Sequence, residues 1–134
     1  MAPKLFADTN IFIDFIAQRP FQLNYTNAIF SNAENMQLTI LITESVIING
    51  LYITGRKEEI KKALLLVNLI SISKTYLLRA LNSEFRDKED AILYYGAIEN
   101  KADYFVTRNK KDFIKYANSF LHVLSPKEFL EIKK

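Results

Sequence analysis

An aspartate stands where the first strand-like segment of the chain gives way to a helix-like one. The stretch LFADTNIFIDF places Asp8 directly after an apolar run, with Thr9 or Asn10 as the expected N-cap of a helix through about Ala17. A solvated turn explains a carboxylate at this junction, and so does a metal site at the carboxyl edge of a sheet. The second explanation requires more acids from elsewhere in the chain.

Further acids follow two later strand-like segments. Glu44 comes after the β-branched run 38–42, and Asp112 lies in the polar segment that follows the run 104–107. Asp90 differs, because it lies three residues after Asp87 in the first turn of a predicted helix. The helix dipole favours an acid there, whether or not that acid has a catalytic role. These acids form one site only if the fold brings their segments together.

Short strands and helices alternate along the chain. The pattern predicts strands at 4–7, 38–42, 70–72, 104–107 and 122–124, and helices near 9–17, 21–35, 43–54, 73–84, 87–101 and from 126 onward. Such alternation predicts a single α/β domain over residues 1–134, with a mostly parallel sheet covered on both faces. Right-handed crossovers then place the carboxyl ends of the strands along one edge.

Composition excludes several kinds of chemistry. The 134 residues include no cysteine and only one histidine, so disulfides, thiol nucleophiles and zinc–thiolate sites are excluded and a multi-histidine metal site is disfavoured. The net charge of +3 permits a polyanionic partner without requiring one. No apolar run approaches the roughly 18–20 residues of a membrane span. We therefore expect a cytoplasmic protein whose chemistry depends on carboxylates, hydroxyls, Lys and Arg.

Three ordered motifs give the chain a family resemblance. They are LFADTNIFIDF near the start, EDAILYYGAIENKADYFVTRNKKDF near the end, and the closing SPKEFL. In this order they resemble the PIN domain, most closely its PilT N-terminus-like and VapC-type branch. The resemblance covers nearly the whole chain and implies a three-layer α/β/α sandwich.

The resemblance also implies a metal site. PIN domains are typically metal-dependent ribonucleases, and the carry-over makes Asp8, Asp90 and Asp112 the metal ligands of this chain. The other usual place of the last acid is held by Asn109. Residues expected around the metal and substrate are Thr9, Asn10, Asn49, Thr107, Arg108 and Asn109. Thr9, Asn10 and Thr107 have equally ordinary structural roles, and Asp14 is expected at the surface or behind the site.

One family acid is missing. Asn49 stands before GLYI, where family members usually have a glutamate. Glu44 precedes it by five residues, and five residues of α-helix correspond to about 140° of rotation, so the two cannot present the same face. Glu44 at the end of a strand is one candidate for the missing ligand, and a simple partner of the helix dipole is the other interpretation.

The leading hypothesis is a metal-dependent endoribonuclease. Clustered carboxylates suit Mg²⁺ or Mn²⁺. The resemblance implies an RNA substrate, a toxin paired with an antitoxin protein, and a homodimer. The alternative is a catalytically weak or inactive PIN-like RNA-binding module, because Asn49 and Asn109 occupy expected acid positions. A phosphoaspartyl enzyme fits poorly, since its second acid would have to stand where this chain has Asn10.

Overall fold

The computed structural model describes residues 2–116 and 121–133. Its five strands form one sheet: β1 (Lys4–Ala7), β2 (Thr39–Thr43), β3 (Val67–Ile70), β4 (Tyr104–Val106) and β5 (His122–Leu124). The strand order is β3-β2-β1-β4-β5 and every pairing is parallel. The predicted α/β architecture with a parallel sheet is therefore confirmed.

Helices connect and cover these strands. In the described residues they are α1 (Thr9–Ala17), α2 (Leu23–Glu34), α3 (Glu44–Thr54), α4 (Lys57–Leu64), α5 (Lys74–Leu81), α6 (Lys88–Glu99), α7 (Lys110–Ile114) and α8 (Pro126–Lys133). Helix α1 packs against α2 and α3, and α2 also packs against α8, whereas α5 and α6 form a separate pair. The result is the expected three-layer sandwich. No helix in the described part of the chain is both long and apolar enough to cross a bilayer.

The central strand is buried on both faces. Leu5, Phe6 and Ala7 of β1 are fully buried, and the Phe6 ring stacks on Phe105 of β4 at 5.4 Å between centroids. Burial on both faces is what covering helices impose on a parallel sheet, and it explains the continuous apolar runs in these strands. Rigid packing at β1 and β4 fixes the two strand ends from which the candidate site residues follow.

One strand lies three residues before its predicted position. The sequence predicts 70–72, whereas β3 occupies Val67–Ile70 and pairs in register with β2, from Ile40 opposite Val67 to Thr43 opposite Ile70. The apolar run ALLLVNLI hides this boundary, because hydrophobicity alone cannot separate the end of a helix from the start of a buried strand. The partner strand settles the register. Helix α3 ends at Thr54, the predicted bound, and Gly55 follows it with a left-handed φ of 65°.

Close packing sets the distance between α1 and α3. A Cβ atom at Gly50 would lie 3.1 Å from the buried ring of Phe12, so these helices approach more closely than a larger residue allows. Asn49 is the neighbour of Gly50, and Asn10 lies at the start of α1. This contact therefore helps to place two polar side chains at the same end of the sheet.

Candidate active site

An acidic cavity opens at the carboxyl edge of the sheet. Its volume is about 440 Å³. Its lining includes the three predicted metal ligands, although they come from distant parts of the chain. The lining residues are Asp8, Thr9, Asn10, Ile13, Asn49, Ile53, Asp87, Glu89, Asp90, Asn109 and Asp112.

Asp8 is held at the junction of β1 and α1 by hydrogen bonds to both carboxylate oxygens. Oδ1 accepts from the backbone N–H of Thr9 at 2.8 Å, and Oδ2 accepts from the hydroxyl of Thr107 at 2.7 Å. Asp8 is thus the N-cap of α1, so the expectation of a cap at Thr9 or Asn10 is wrong by one or two residues. Burial raises the pKa of Asp8, and the two hydrogen bonds oppose the rise because they favour the charged form.

Asp90 lies in the first turn of α6 and experiences the charge of its neighbours. Asp87 caps this helix, and its Oδ1 accepts from the N–H groups of Glu89 and Asp90. Burial raises the pKa of Asp90 to about 7, with further contributions from Asp87, Asp8, Asp112 and Glu89. Asp90 is therefore half protonated near neutral pH unless a positive charge offsets its neighbours.

The donor set suits a hard cation. The polar groups of the acidic cavity are carboxylates, amides and a hydroxyl, the oxygen ligands that Mg²⁺ and Mn²⁺ prefer. The hydroxyl of Thr9 is buried and has no hydrogen-bond partner among the described residues. Within residues 2–116 and 121–133, no three acidic side chains come close enough to ligate one ion as they stand. Mutual repulsion favours such separation, and a bound cation would offset it.

The structure brings Asn49 into the cavity and leaves Glu44 outside it. Glu44 is exposed at the start of α3, where its charge helps to raise the pKa of Tyr76. The Asn49 amide instead donates to Glu89 Oε1 at 3.2 Å. Glu44 therefore does not line this cavity, because about 140° of rotation around α3 separates it from Asn49, and of its two expected roles the position fits a partner of the helix dipole. Glu89 is the acid that sequence reasoning missed.

Arg108 contacts α1 and is not part of the cavity lining. Its Nε lies 2.7 Å from Asp14 Oδ2, and Arg19 Nη1 lies 3.4 Å from Asp14 Oδ1. Asp14 has no exposed surface, so the surface position, one of the two expected for it, is excluded. Burial raises the pKa of Asp14, while both guanidinium groups oppose the rise. This ion pair anchors the segment between β4 and α7 to α1.

The comparisons identify the class of protein. Residues 4–111 match the family model described as PIN domain, and the chain belongs to this family. No curated protein matches the chain.

Solved structures of toxin–antitoxin proteins have a similar fold. VapBC2 from Rickettsia felis, bound to a DNA fragment from its promoter, is 21% identical with a TM-score of 0.60, covering 90% of this chain and 96% of that one. A toxin–antitoxin complex from Klebsiella pneumoniae is 24% identical with a TM-score of 0.66, covering 91% and 97%. VapC20 of Mycobacterium tuberculosis, a sarcin–ricin loop cleaving toxin, is 9% identical with a TM-score of 0.58, covering 75% and 86%. At these identities the likeness shows a shared fold.

The raised pKa of Asp90 predicts a stability change with pH. In metal-free protein, the folded state holds this proton up to about pH 7, whereas the unfolded carboxyl releases it near its ordinary value of 3.8. The contribution of Asp90 to stability is therefore lost as the pH rises from about 4 through 7, by up to a few kcal/mol. Urea denaturation in EDTA should show Asp90→Asn equal to wild type near pH 4 and more stable near pH 8. Parallel pH curves for the two proteins would contradict this.

Removing the buried charge of Asp14 is expected to lower the stability of the protein. Asp14→Asn leaves Arg108 without its partner, and we expect the free energy of unfolding to fall by about 1–3 kcal/mol. The matched control is Glu58→Gln, which breaks an exposed ion pair with Lys61 and should cost less than about 0.5 kcal/mol. Urea denaturation measures both, and equal losses would refute an anchoring role for Asp14.

Proposed function

We propose that this PIN domain is a metal-dependent endoribonuclease that hydrolyses RNA phosphodiester bonds. The observation that carries the proposal is the acidic cavity at one edge of the sheet, which Asp8, Asp90 and Asp112 all line. The charge of each neighbouring acid on Asp90 supports a site that requires a cation. VapC20, described as cleaving the sarcin–ricin loop, shares the fold and makes RNA the favoured substrate.

The proposed ligands of Mg²⁺ or Mn²⁺ are Asp8, Asp90 and Asp112. When bound, such an ion lowers the pKa of a coordinated water and offsets negative charge on the phosphate. The Thr107 hydroxyl keeps Asp8 oriented and favours its ionised form. The amides of Asn10 and Asn109 can donate to phosphate oxygens, as neutral groups that add no charge.

A protein partner fits the same proposal. The Rickettsia felis and Klebsiella pneumoniae structures are toxin–antitoxin assemblies, which supports a toxin role here with an antitoxin as partner. Helix α3 exposes the large apolar side chains of Ile48, Leu51 and Tyr52, and Ile53 lines the acidic cavity itself. An exposed apolar face of this kind is typical of protein interaction surfaces. A cytoplasmic homodimer completes the proposal.

The alternative is a PIN domain that binds RNA without efficient cleavage. Asn49 and Asn109 favour it, because both put an amide where a carboxylate is expected and reduce the negative charge available to a cation. The open spacing of the acids favours it as well. Measuring whether bound RNA is cleaved distinguishes the two functions.

Cleavage of single-stranded RNA in Mn²⁺ tests the enzyme. Asp8→Asn and Asp90→Asn should each lower the rate by on the order of 100-fold or more, because each replaces an anionic ligand with a neutral one. Glu131→Gln, an exposed acid on α8, should leave the rate unchanged. Far-ultraviolet circular dichroism checks that the variants fold. RNA binding without cleavage by the wild type would favour the alternative.

Measurements of metal affinity test whether Glu89 or Glu44 is a further ligand beside Asp8, Asp90 and Asp112. Glu89→Gln should weaken Mn²⁺ binding about tenfold in isothermal titration calorimetry, whereas Glu44→Gln should leave it unchanged. Asn49→Glu introduced into Glu89→Gln should restore affinity, because the carboxylate then returns from α3. A loss with Glu44→Gln and none with Glu89→Gln would reverse the assignment.

A further inference from the structure

A second cavity adjoins the acidic one. It has a volume of about 460 Å³ and is lined by Arg86, Asp87, Asp90, Lys111, Asp112, Lys115 and Tyr116. Asp87, Asp90 and Asp112 line both cavities, so the two lie side by side. A third cavity, of about 360 Å³, shares Lys115 and Tyr116 with the second and extends to Tyr95. Together the second and third cavities form a groove beside the acidic cavity, called the basic groove below after its three cations, although Glu84 also lines its third cavity.

The charge changes sharply along this path. Five carboxylates and no Lys or Arg line the described part of the acidic cavity, whereas the second cavity combines three of those carboxylates with the cations Arg86, Lys111 and Lys115. A nucleic-acid phosphate is repelled by the carboxylates and attracted by the three cations. A strand whose scissile phosphate meets the acids therefore needs its neighbouring phosphates held in the basic groove.

Ion pairing determines which basic residues are available. Arg108 is paired with Asp14, and Lys110 Nζ lies 2.8 Å from Glu128 Oε2. Arg86, Lys111 and Lys115 form no ion pair with any acid in residues 2–116 and 121–133. The cations of the basic groove are thus free to bind phosphate, whereas Arg108 and Lys110 are already paired with acids.

Aromatic rings accompany these cations. Tyr116 is half-buried against Phe85, with 5.0 Å between ring centroids, and Lys115 Nζ lies 5.4 Å from the Tyr116 centroid. Tyr95 carries the guanidinium of Arg79 at 4.8 Å from its ring centre. Cations interleaved with aromatic rings are typical of surfaces that bind single-stranded nucleic acid, where bases stack and phosphates pair.

We propose that the basic groove binds single-stranded RNA beside the cleavage site. Arg86, Lys111 and Lys115 hold phosphates adjacent to the scissile bond, and a base stacks on Tyr116. This inference rests on the proposed function, since the groove is assigned the same substrate as the acidic cavity. An acidic peptide is the other polyanion that could bind here, but such a peptide gains nothing from the aromatic platform.

Binding in EDTA tests the groove without cleavage. The probe is a fluorescently labelled single-stranded oligoribonucleotide of mixed sequence, and anisotropy gives its Kd. Lys111→Ala with Lys115→Ala should weaken binding about tenfold or more and lower the slope of log K against log salt by about 0.7 for each lost phosphate contact. The matched control, Lys61→Ala with Lys62→Ala, removes the same charge from the exposed face of α4 and should have a much smaller effect.

Substitutions at Tyr116 test the stacking. Tyr116→Phe keeps an aromatic ring and should retain the affinity of wild type, whereas Tyr116→Leu should weaken RNA binding several-fold. Thermal denaturation identifies any loss of folding in the leucine variant. Equal affinities for phenylalanine and leucine, with both variants folded, would exclude the proposed base stacking.

The outcomes separate the groove from the proposed function. If the α4 control loses as much affinity as the groove variant, binding follows overall charge and the inference is overturned. It is equally overturned if polyglutamate binding depends on Lys111 and Lys115 while RNA binding does not. Unchanged KM for RNA cleavage in the groove variant would overturn the inference and leave the endoribonuclease intact. Weakened RNA binding in the groove variant of a protein that never cleaves RNA would support the groove and reject the enzyme.

Discussion

The hydrogen bond from Thr107 to Asp8 joins the two strand ends on which the candidate site depends. It connects the residue after β4 to the residue after β1, and the backbone N–H of Asp8 donates to Val106 in the same place. Asp8 also caps α1, so its carboxylate accepts hydrogen bonds both from the residue after β4 and from the first residue of α1. Because this group is buried, its two hydrogen bonds offset much of the cost of removing the charge from water. The proposed metal ligand Asp8 is therefore also a structural residue.

Electrostatic repulsion then determines how the surrounding residues are used. Burial raises the pKa of Asp90, and repulsion from the acids bordering the cavity raises it further. The Asn49 amide adds a hydrogen-bond donor without a further negative charge, and it orients Glu89. The Glu89 carboxylate thus lines the cavity from α6, while Asn49 stands on α3 where family members usually have a glutamate.

Patterns along the chain were sufficient for the fold and for the approach of Asp8 and the segment carrying Asp112, because parallel strands must end at a common edge. Asp90 was assigned to the same site only through the family resemblance, because an acid in the first turn of a helix is ordinary. The same patterns misplaced β3, since the run ALLLVNLI carries no period that separates helix from strand. They did not single out Glu89, and they left two roles open for each of Glu44 and Asp14. Each of these depends on which partner faces it across the fold, and such a contact leaves no signal in the local sequence.

Two ion pairs explain how the segment after β4 serves both the acidic cavity and the basic groove. Arg108 reaches back to Asp14 on α1, and Lys110 reaches Glu128 on α8, so alternate residues attach the segment on either side of β4. The residues between and after these anchors, Asn109 and Lys111, line the acidic cavity and the basic groove respectively, and Asp112 borders both. Anchoring through every second residue gives a short polar connection a fixed shape without a long helix. It also leaves a cation beside the acids for a substrate that the acids alone would repel.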